Sequence, residues 1–397
     1  MNAPVKTPAR SGAVPADLDS LLPELTSRFA ATADVHDRDA SFPFENFRAL
    51  HEAGLLALTA PPALGGGGAD LPTALKVTQA VARGEPATAL VLVMQYLFHG
   101  SLSGARGGWP DHLKARVVDD AISNGALINA LRVEPDLGTP ARGGLPATVA
   151  RRTADGWRLT GRKIYSTGSP ALTWMMVWAR TDEETPRVGG WLVHRDAPGW
   201  RIEETWDHTG LRASGSHDVV FEDTPTPEDH ALSPQPLGGP PHIDPKFAIW
   251  SSVLTSAIYD AVARAARDWF VEWLLERKPA NLGASLATLP RFQEIVGTMD
   301  GLLLQNRVLL DAAAEGRLPP SQGGMVKHLV TENAIAAVEK AIAASGNPGL
   351  SRHNALQRHY RDVLCGRIHT PQSDVVLTGA GKAAFAAARP SPRPDNP

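Results

Sequence analysis

Cysteine is almost absent from this chain of 397 residues, since Cys365 is the single one, and no internal disulfide can form. This shortage is typical of a reducing compartment, and we expect a cytoplasmic protein. Zinc sites need clustered Cys and His residues, so one cysteine among dispersed histidines predicts no metal site. Basic charge is not in excess either, because 39 Lys and Arg residues face 42 Asp and Glu residues. Binding to nucleic acid needs a basic surface, so we expect no nucleic-acid partner.

Long apolar runs are missing too. The largely apolar run from Leu90 to Phe98 is well short of the ~20 residues that span a membrane. The N-terminus also lacks the apolar core of a signal peptide. We therefore expect neither secretion nor a membrane anchor. Residues 1–16 and the Pro-rich residues 389–397 are expected to be flexible tails.

The pattern of apolar residues divides the rest of the chain into three zones. Residues 17–125 and 236–388 have apolar positions at helical spacing. Residues 126–235 instead contain short apolar runs bounded by Gly, Pro, Asp or Thr, which is typical of β-strands. We therefore predict an α+β protein of several domains. Its N-terminal domain is helical, its central domain is an antiparallel β-barrel or sandwich, and its C-terminal domain is a helical bundle.

Five short motifs follow one another along the chain. They are residues 42–43 (FP) with 65–66 (GG), 133–139 (VEPDLGT), 161–168 (GRKIYSTG), 210–214 (GLRAS) and 361–362 (RD). Each is weak alone, but their order and spacing together resemble the acyl-CoA dehydrogenase superfamily over most of the chain. The resemblance implies a flavin-dependent oxidoreductase with a four-helix C-terminal bundle. It also implies a homo-oligomer, either a dimer or a tetramer.

The resemblance places one group of residues beside the flavin ring, whose heteroatoms need hydrogen-bond partners. This group comprises Val133, Thr139, Tyr165, Ser166 and Thr167. The structural alternative for Thr167 is an ordinary strand threonine.

A second group matches family positions that hold the FAD pyrophosphate across a dimer interface. It comprises Arg277, Gln293, Gly346 and Gly349. An arginine fork suits pyrophosphate geometry, whereas Gly346 could equally be a helix cap. The Phe-Gly that follows this arginine in the family is replaced by Lys278 and Pro279. We therefore expect FAD as the cofactor and keep FMN as the alternative.

The catalytic segment departs from the dehydrogenase pattern. Dehydrogenation of an acyl-CoA needs a carboxylate base next to the thioester. Family members have a Glu in the segment that follows the Arg-Asp pair, and this chain has Thr370 at that position. Some members place the base on the first bundle helix, but the matching residues 250–254 contain no acid.

Two histidines remain as acid–base candidates, His369 beside Thr370 and His99 at the end of an apolar helix. A histidine in this segment and a hydroxyl at Thr167 resemble the reduced-flavin monooxygenase branch, which includes the dibenzothiophene and sulfone enzymes. That resemblance implies catalysis through a C4a-hydroperoxyflavin on a small apolar substrate, with reduced flavin from a separate reductase. A structural role stays open for both histidines, because a helix-end histidine also suits the helix dipole.

Two other functions stay open. The first is an acyl-CoA dehydrogenase whose base has moved to Glu134 or Asp374, which would pass electrons to an electron-transfer flavoprotein. The second is a non-catalytic flavin-binding regulatory protein. Arg358 and Arg361 are expected to pair with acids of their own segment, Asp362 and Asp374.

Overall fold

The computed structural model describes residues 12–103, 109–137, 144–236 and 244–388. Most of the two predicted tails lies outside the described residues. The predicted flavin contact Thr139 lies outside them as well.

The N-terminal region is helical and is organised around one buried helix. Its helices are α1 (Leu18–Asp39), α2 (Phe44–Glu52), α3 (Leu71–Gly84), α4 (Pro86–Ser101) and α5 (Asp111–Asn124). Helix α4 buries most of its residues. It begins at Glu85, whose carboxylate accepts the otherwise unpaired N–H groups of Ala87 and Thr88. This central helix brings the N-terminal region against both the sheet and the bundle.

Eight strands form one sheet in the described part of the middle region. They are β1 (Leu127–Leu131), β2 (Val149–Thr153), β3 (Gly156–Lys163), β4 (Leu172–Thr181), β5 (Arg187–His194), β6 (Trp200–Glu203), β7 (Asp218–Thr226) and β8 (Ala231–Pro236). The hydrogen-bonded order is β6-β7-β3-β2-β4-β5-β8, and β1 also pairs with β4.

The sheet is mixed, which corrects the expectation of a purely antiparallel arrangement. Strands β1 and β2 each run parallel to β4, whereas the other pairings are antiparallel. Parallel pairing needs a crossover, and the chain makes it by passing through β3 before β4. Short apolar runs indicate strands but contain no information about strand direction.

The C-terminal region is a helical bundle. Its helices are α6 (Pro245–Glu276), α7 (Pro290–Ala314), α8 (Gly323–Ser345), α9 (Asn347–Leu350), α10 (Ala355–Leu364) and α11 (Ser373–Ala387). Helix α6 packs against α7, α8 and α10, and it also contacts α3 and α4. The order of helical, β and helical regions confirms the predicted fold class. None of the helices in the described part of the chain is long and apolar enough to span a bilayer.

Candidate active site

The end of β1 and the loop after β3 meet side by side. The N–H of Ile164 donates to the carbonyl oxygen of Val133 at 3.0 Å. The side-chain amide of Asn129 on β1 donates to the carbonyl oxygen of Thr167 at 2.9 Å. These contacts join the VEPDLGT and GRKIYSTG motifs into one surface.

Hydroxyl groups cluster on this surface. The Thr167 hydroxyl lies 3.0 Å from that of Ser216, which lies 2.8 Å from that of Ser214. The Ser166 hydroxyl is buried and has no hydrogen-bond partner among the described residues. An unpaired buried polar group costs about 1–3 kcal/mol. Ser166, Ser214 and Ser216 are nearly fully buried, so Thr167 is the hydroxyl of this group that a heteroaromatic ring on the surface would meet.

Tyr165 adds an aromatic wall to this surface. Its backbone is left-handed (φ 55°), a strained conformation for a bulky residue, and its side chain is 54% exposed. The ring makes edge contacts with Trp206 and His208, which stack on each other with centroids 3.7 Å apart. Exposed aromatic rings of this kind suit contact with a flat ligand.

Behind this surface lies a buried ion pair between Glu134 and Lys163, 2.5 Å apart. Glu134 also accepts hydrogen bonds from the N–H of Ala147 and from the N–H and hydroxyl of Thr148. Burial alone would raise the pKa of Glu134, but the hydrogen bonds from Lys163 and Thr148 outweigh it and lower that pKa. Glu134 is therefore a structural carboxylate and a poor candidate for a base.

Helix α10 is tied to the N-terminal region by two ion pairs. Arg358 pairs with Asp34, and Arg361 forms two parallel hydrogen bonds with Asp37, both acids being on α1. The expectation that these arginines pair within their own segment was wrong. Their partners lie 324 positions earlier in the chain, where no local pattern points to them.

Asp362 ties α10 to the sheet region. Its carboxylate accepts the N–H of Leu211 at 2.7 Å, and it is only 2% exposed. Burial raises the pKa of Asp362 to about 7, despite this hydrogen bond. Next to it, Gly210 packs so closely on Arg361 and Cys365 that a side chain would not fit. The Arg-Asp pair thus fixes the position of the loop that follows α10.

That loop contains His369, which is half-buried among polar groups. One ring nitrogen, Nδ1, is hydrogen-bonded to the hydroxyl of Tyr259 on α6. The ammonium of Lys327 on α8 donates to the carbonyl oxygens of Gly366 and His369, at 2.6 and 2.8 Å. Burial, and less strongly the Lys327 charge, lower the pKa of His369 to about 4. The imidazole is therefore neutral at physiological pH.

Residues 206–211 connect the two halves of the site. At one end, Trp206 and His208 contact Tyr165, and at the other Gly210 contacts the end of α10. This segment therefore contacts both the Tyr165 ring and the end of α10, which precedes the His369 loop.

His99, the other acid–base candidate, is fully buried in the N-terminal region. Its Nε2 is 3.5 Å from the Gln95 amide, and its Nδ1 has no partner among the described residues. Burial lowers the pKa of His99 to about 4. This apolar environment favours a structural role. Cys365 is inert for a similar reason, because burial raises the pKa of its thiol to about 12.

The predicted pyrophosphate residues lie together at one end of the bundle. Arg277 and Gln293 are both exposed, and each makes a hydrogen bond to the connection between α6 and α7. Gly346 has a positive φ of 65° and ends α8, with open space around it, while Gly349 is buried. Tyr259 is 17 residues before the end of α6, or about 25 Å along the helix axis. This end is therefore remote from His369 in the same chain.

Two cavities lie elsewhere. One of about 700 Å³ separates the loop before α3 from the start of α6, and one of about 410 Å³ lies against β3 and β5. Neither has Thr167 or His369 in its lining. Among the described residues, no group of three or more His, Cys, Asp or Glu side chains could hold a metal ion.

Several residues of the site escaped sequence reasoning. They are Asn129, Ser214, Ser216, Tyr259 and Lys327. A polar residue inside the apolar strand LINAL was a usable signal for Asn129. Tyr259 and Lys327 gave no such signal, because both sit in helices whose apolar pattern indicates core.

The fold and the hydroxyl-lined surface are typical of flavin-dependent oxidoreductases. Three family models match in chain order. They are the acyl-CoA dehydrogenase N-terminal domain (residues 24–103), middle domain (132–224) and C-terminal domain (256–373). The chain belongs to the acyl-CoA dehydrogenase superfamily, which confirms the resemblance seen in its motifs.

Relatives with different names match over nearly the full length. A putative acyl-CoA dehydrogenase, YdbM of Bacillus subtilis (strain 168), is 35% identical over 91% of this chain and 94% of its own. An L-evernosamine nitrososynthase of Micromonospora sp. is 30% identical over 89% of this chain and 86% of its own. The solved structure of KijD3 with FMN and a dTDP-linked amino keto sugar is 28% identical, with a TM-score of 0.79. It covers 96% of this chain and 98% of its own.

Proposed function

We propose that this protein is a reduced-flavin monooxygenase. The observation that carries the proposal is the loop after α10, where neutral His369 and Thr370 stand in place of a carboxylate. A neutral imidazole can donate its N–H hydrogen bond to an oxygen atom near the flavin. It is poorly suited to remove a proton next to a thioester, because its lowered pKa makes it a weak base.

The residues described above fit a flavin. Thr167, Ser166 and the backbone of Val133 would hold its polar edge, and Tyr165 would contact its ring. When bound, the flavin supplies the electrons and the reaction with oxygen, and a separate reductase would deliver it in reduced form. The structural likeness to KijD3, which was solved with FMN, favours FMN over the FAD that the motifs predict.

The carboxylates near the site do not fill the role of a dehydrogenase base. Glu134 is held in its ion pair by several hydrogen bonds. Asp362 has a raised pKa, which would suit a base, but it is only 2% exposed and holds Leu211. Asp374 lies exposed in the first turn of α11, at no position where the family has a base.

Acyl-CoA dehydrogenation remains the second candidate, favoured by the 35% identity to YdbM. One experiment separates the two activities. In its first arm, the flavin-loaded protein is mixed anaerobically with acyl-CoAs of several chain lengths. Bleaching of the oxidised flavin absorbance would identify a dehydrogenase and contradict the proposal.

In the second arm, a flavin reductase with NADH supplies reduced FMN under ¹⁸O-labelled oxygen. The substrates are small apolar heteroaromatic compounds and, because of the nitrososynthase relatives, an amino-sugar nucleotide. Incorporation of the label into a product supports the monooxygenase. If neither arm gives turnover while flavin still binds, the non-catalytic regulatory function gains.

We further propose that the protein acts as a homo-oligomer. Helix α11 buries none of its residues and exposes Val375, Leu377 and Phe385. Exposed apolar side chains such as these are typical of a subunit interface. A second copy would also explain the remote position of Arg277, which could then serve the cofactor of the other subunit.

Arg277→Ala is accordingly expected to weaken FAD binding by about tenfold or more, because a charge-assisted hydrogen bond to its pyrophosphate is lost. A fluorescence titration with FAD and with FMN measures the affinity, and sedimentation measures the oligomeric state. Arg317→Ala is the matched control, since Arg317 is also exposed at the end of a bundle helix and forms a local ion pair with Glu315. Equal affinities in both variants would remove Arg277 from the cofactor site.

A further inference from the structure

We propose that Tyr259 is a positioning residue, which holds His369 as the tautomer that bears its proton on Nε2. This inference rests on the catalytic role given to His369 in the proposed function. The predicted tautomer of His369 can be tested independently of that role, because the tautomer of a histidine can be measured without turnover.

The Tyr259 side chain is rigidly placed for this task. It lies in the middle of α6, is fully buried, and directs its hydroxyl to Nδ1 of His369. The Tyr259 ring lies so close to Gly366 that a Cβ at position 366 would come within 3.0 Å of its ring carbons. Because residue 366 is a glycine, the loop after α10 can pack directly against the Tyr259 ring. This packing brings His369 within hydrogen-bonding distance of the Tyr259 hydroxyl.

The direction of the hydrogen bond follows from the charges around it. Burial raises the pKa of Tyr259 well above its usual value, so the phenol keeps its proton and can donate it. The neighbouring Lys327 ammonium and burial keep the imidazole neutral. A neutral imidazole that accepts at Nδ1 must have its proton on Nε2.

Lys327 fixes the backbone of the same residue. Its ammonium, on α8, donates to the carbonyl oxygens of Gly366 and His369, which the loop would otherwise leave unpaired inside the bundle. Ring and backbone of His369 are thus held by side chains from two different bundle helices. The consequence is a preset hydrogen-bond donor at Nε2, which could serve an acceptor atom of the substrate or of a bound flavin.

The tautomer can be read from the ¹⁵N spectrum of the intact flavin-loaded protein labelled at both histidine ring nitrogens. The chain has 13 histidines, and the resonances of His369 are those lost in His369→Asn. At pH 7 we expect a protonated Nε2 and an unprotonated, hydrogen-bonded Nδ1. A proton on Nδ1, or on both nitrogens, would overturn the inference, and this needs no variant of Tyr259.

Tyr259→Phe tests the cause. The variant should show a second tautomer of His369, bind flavin with unchanged affinity and turn over about tenfold more slowly. Tyr96→Phe is the control, because Tyr96 is an equally buried tyrosine whose hydroxyl has no partner among the described residues. If Tyr259→Phe keeps the pure Nε2–H form, the phenol does not set the tautomer. If the tautomer changes but the protein oxygenates nothing, the positioning stands and the proposed function fails.

Discussion

Replacing His369 by alanine is expected to lower turnover about a hundredfold or more, while flavin binding stays intact. The reason is that Thr370 stands where dehydrogenases have their Glu and cannot transfer a proton at neutral pH, so the neighbouring His369 ring is left to hydrogen-bond the reacting atoms. Turnover is measured with the best substrate of the oxygenation panel, and affinity by flavin fluorescence. The loss should appear mainly in kcat, since the imidazole acts on the reacting atoms more than on binding.

His112→Ala provides the matched control. His112 is exposed on α5 and pairs with Asp229 at the surface, an interaction worth little. Full activity in this control, with a hundredfold loss in His369→Ala, assigns a catalytic role to His369. Unchanged turnover in His369→Ala would show that the histidine is structural, and the monooxygenase proposal would lose the observation on which it stands.

The motifs predicted the family and the surface around Thr167 because these depend on contacts between short segments. One backbone hydrogen bond joins Ile164 to Val133, and both residues belong to the motifs. The second contact comes from the Asn129 side chain, which lies outside both motifs. The direction of β1 and β2 was not predictable in the same way. A strand with a parallel neighbour can have the same apolar pattern as a strand whose neighbours are all antiparallel.

The surroundings of His369 were hidden for a different reason. Tyr259 occupies a fully buried position in the apolar α6, where the pattern indicates only core. Its hydroxyl gains a partner because the loop after α10 returns to it from 110 positions later in the chain. Arg361 likewise was assigned to a near acid, whereas Asp37 on α1 is its partner. Side-chain partners in distant segments are set by tertiary packing, and the periodicity of apolar residues does not predict that packing.

The largest expected effect on stability comes from Glu134→Gln. Lys163 is fully buried and Glu134 nearly so, and the amide would leave the lysine as an unpaired buried charge. Breaking a buried pair in this way costs about 3–5 kcal/mol. The new amide nitrogen would also face the N–H groups of Ala147 or Thr148, which need an acceptor. We expect a lower unfolding midpoint in urea. We also expect weaker flavin binding, because Val133, whose backbone would contact the flavin, directly precedes Glu134.

Two variants separate the burial of charge from a simple loss of contact. Glu222→Gln breaks an exposed pair with Arg201 and should leave the free energy of unfolding nearly unchanged. Combining Glu134→Gln with Lys163→Met removes both buried charges and should recover part of the lost stability, since the methionine needs no counterion. If the double variant is no more stable than Glu134→Gln, the unpaired lysine is not the cause. The hydrogen bonds to residues 147 and 148 would then be what the carboxylate contributes, and the loop before β2 would be the part of the site that it holds.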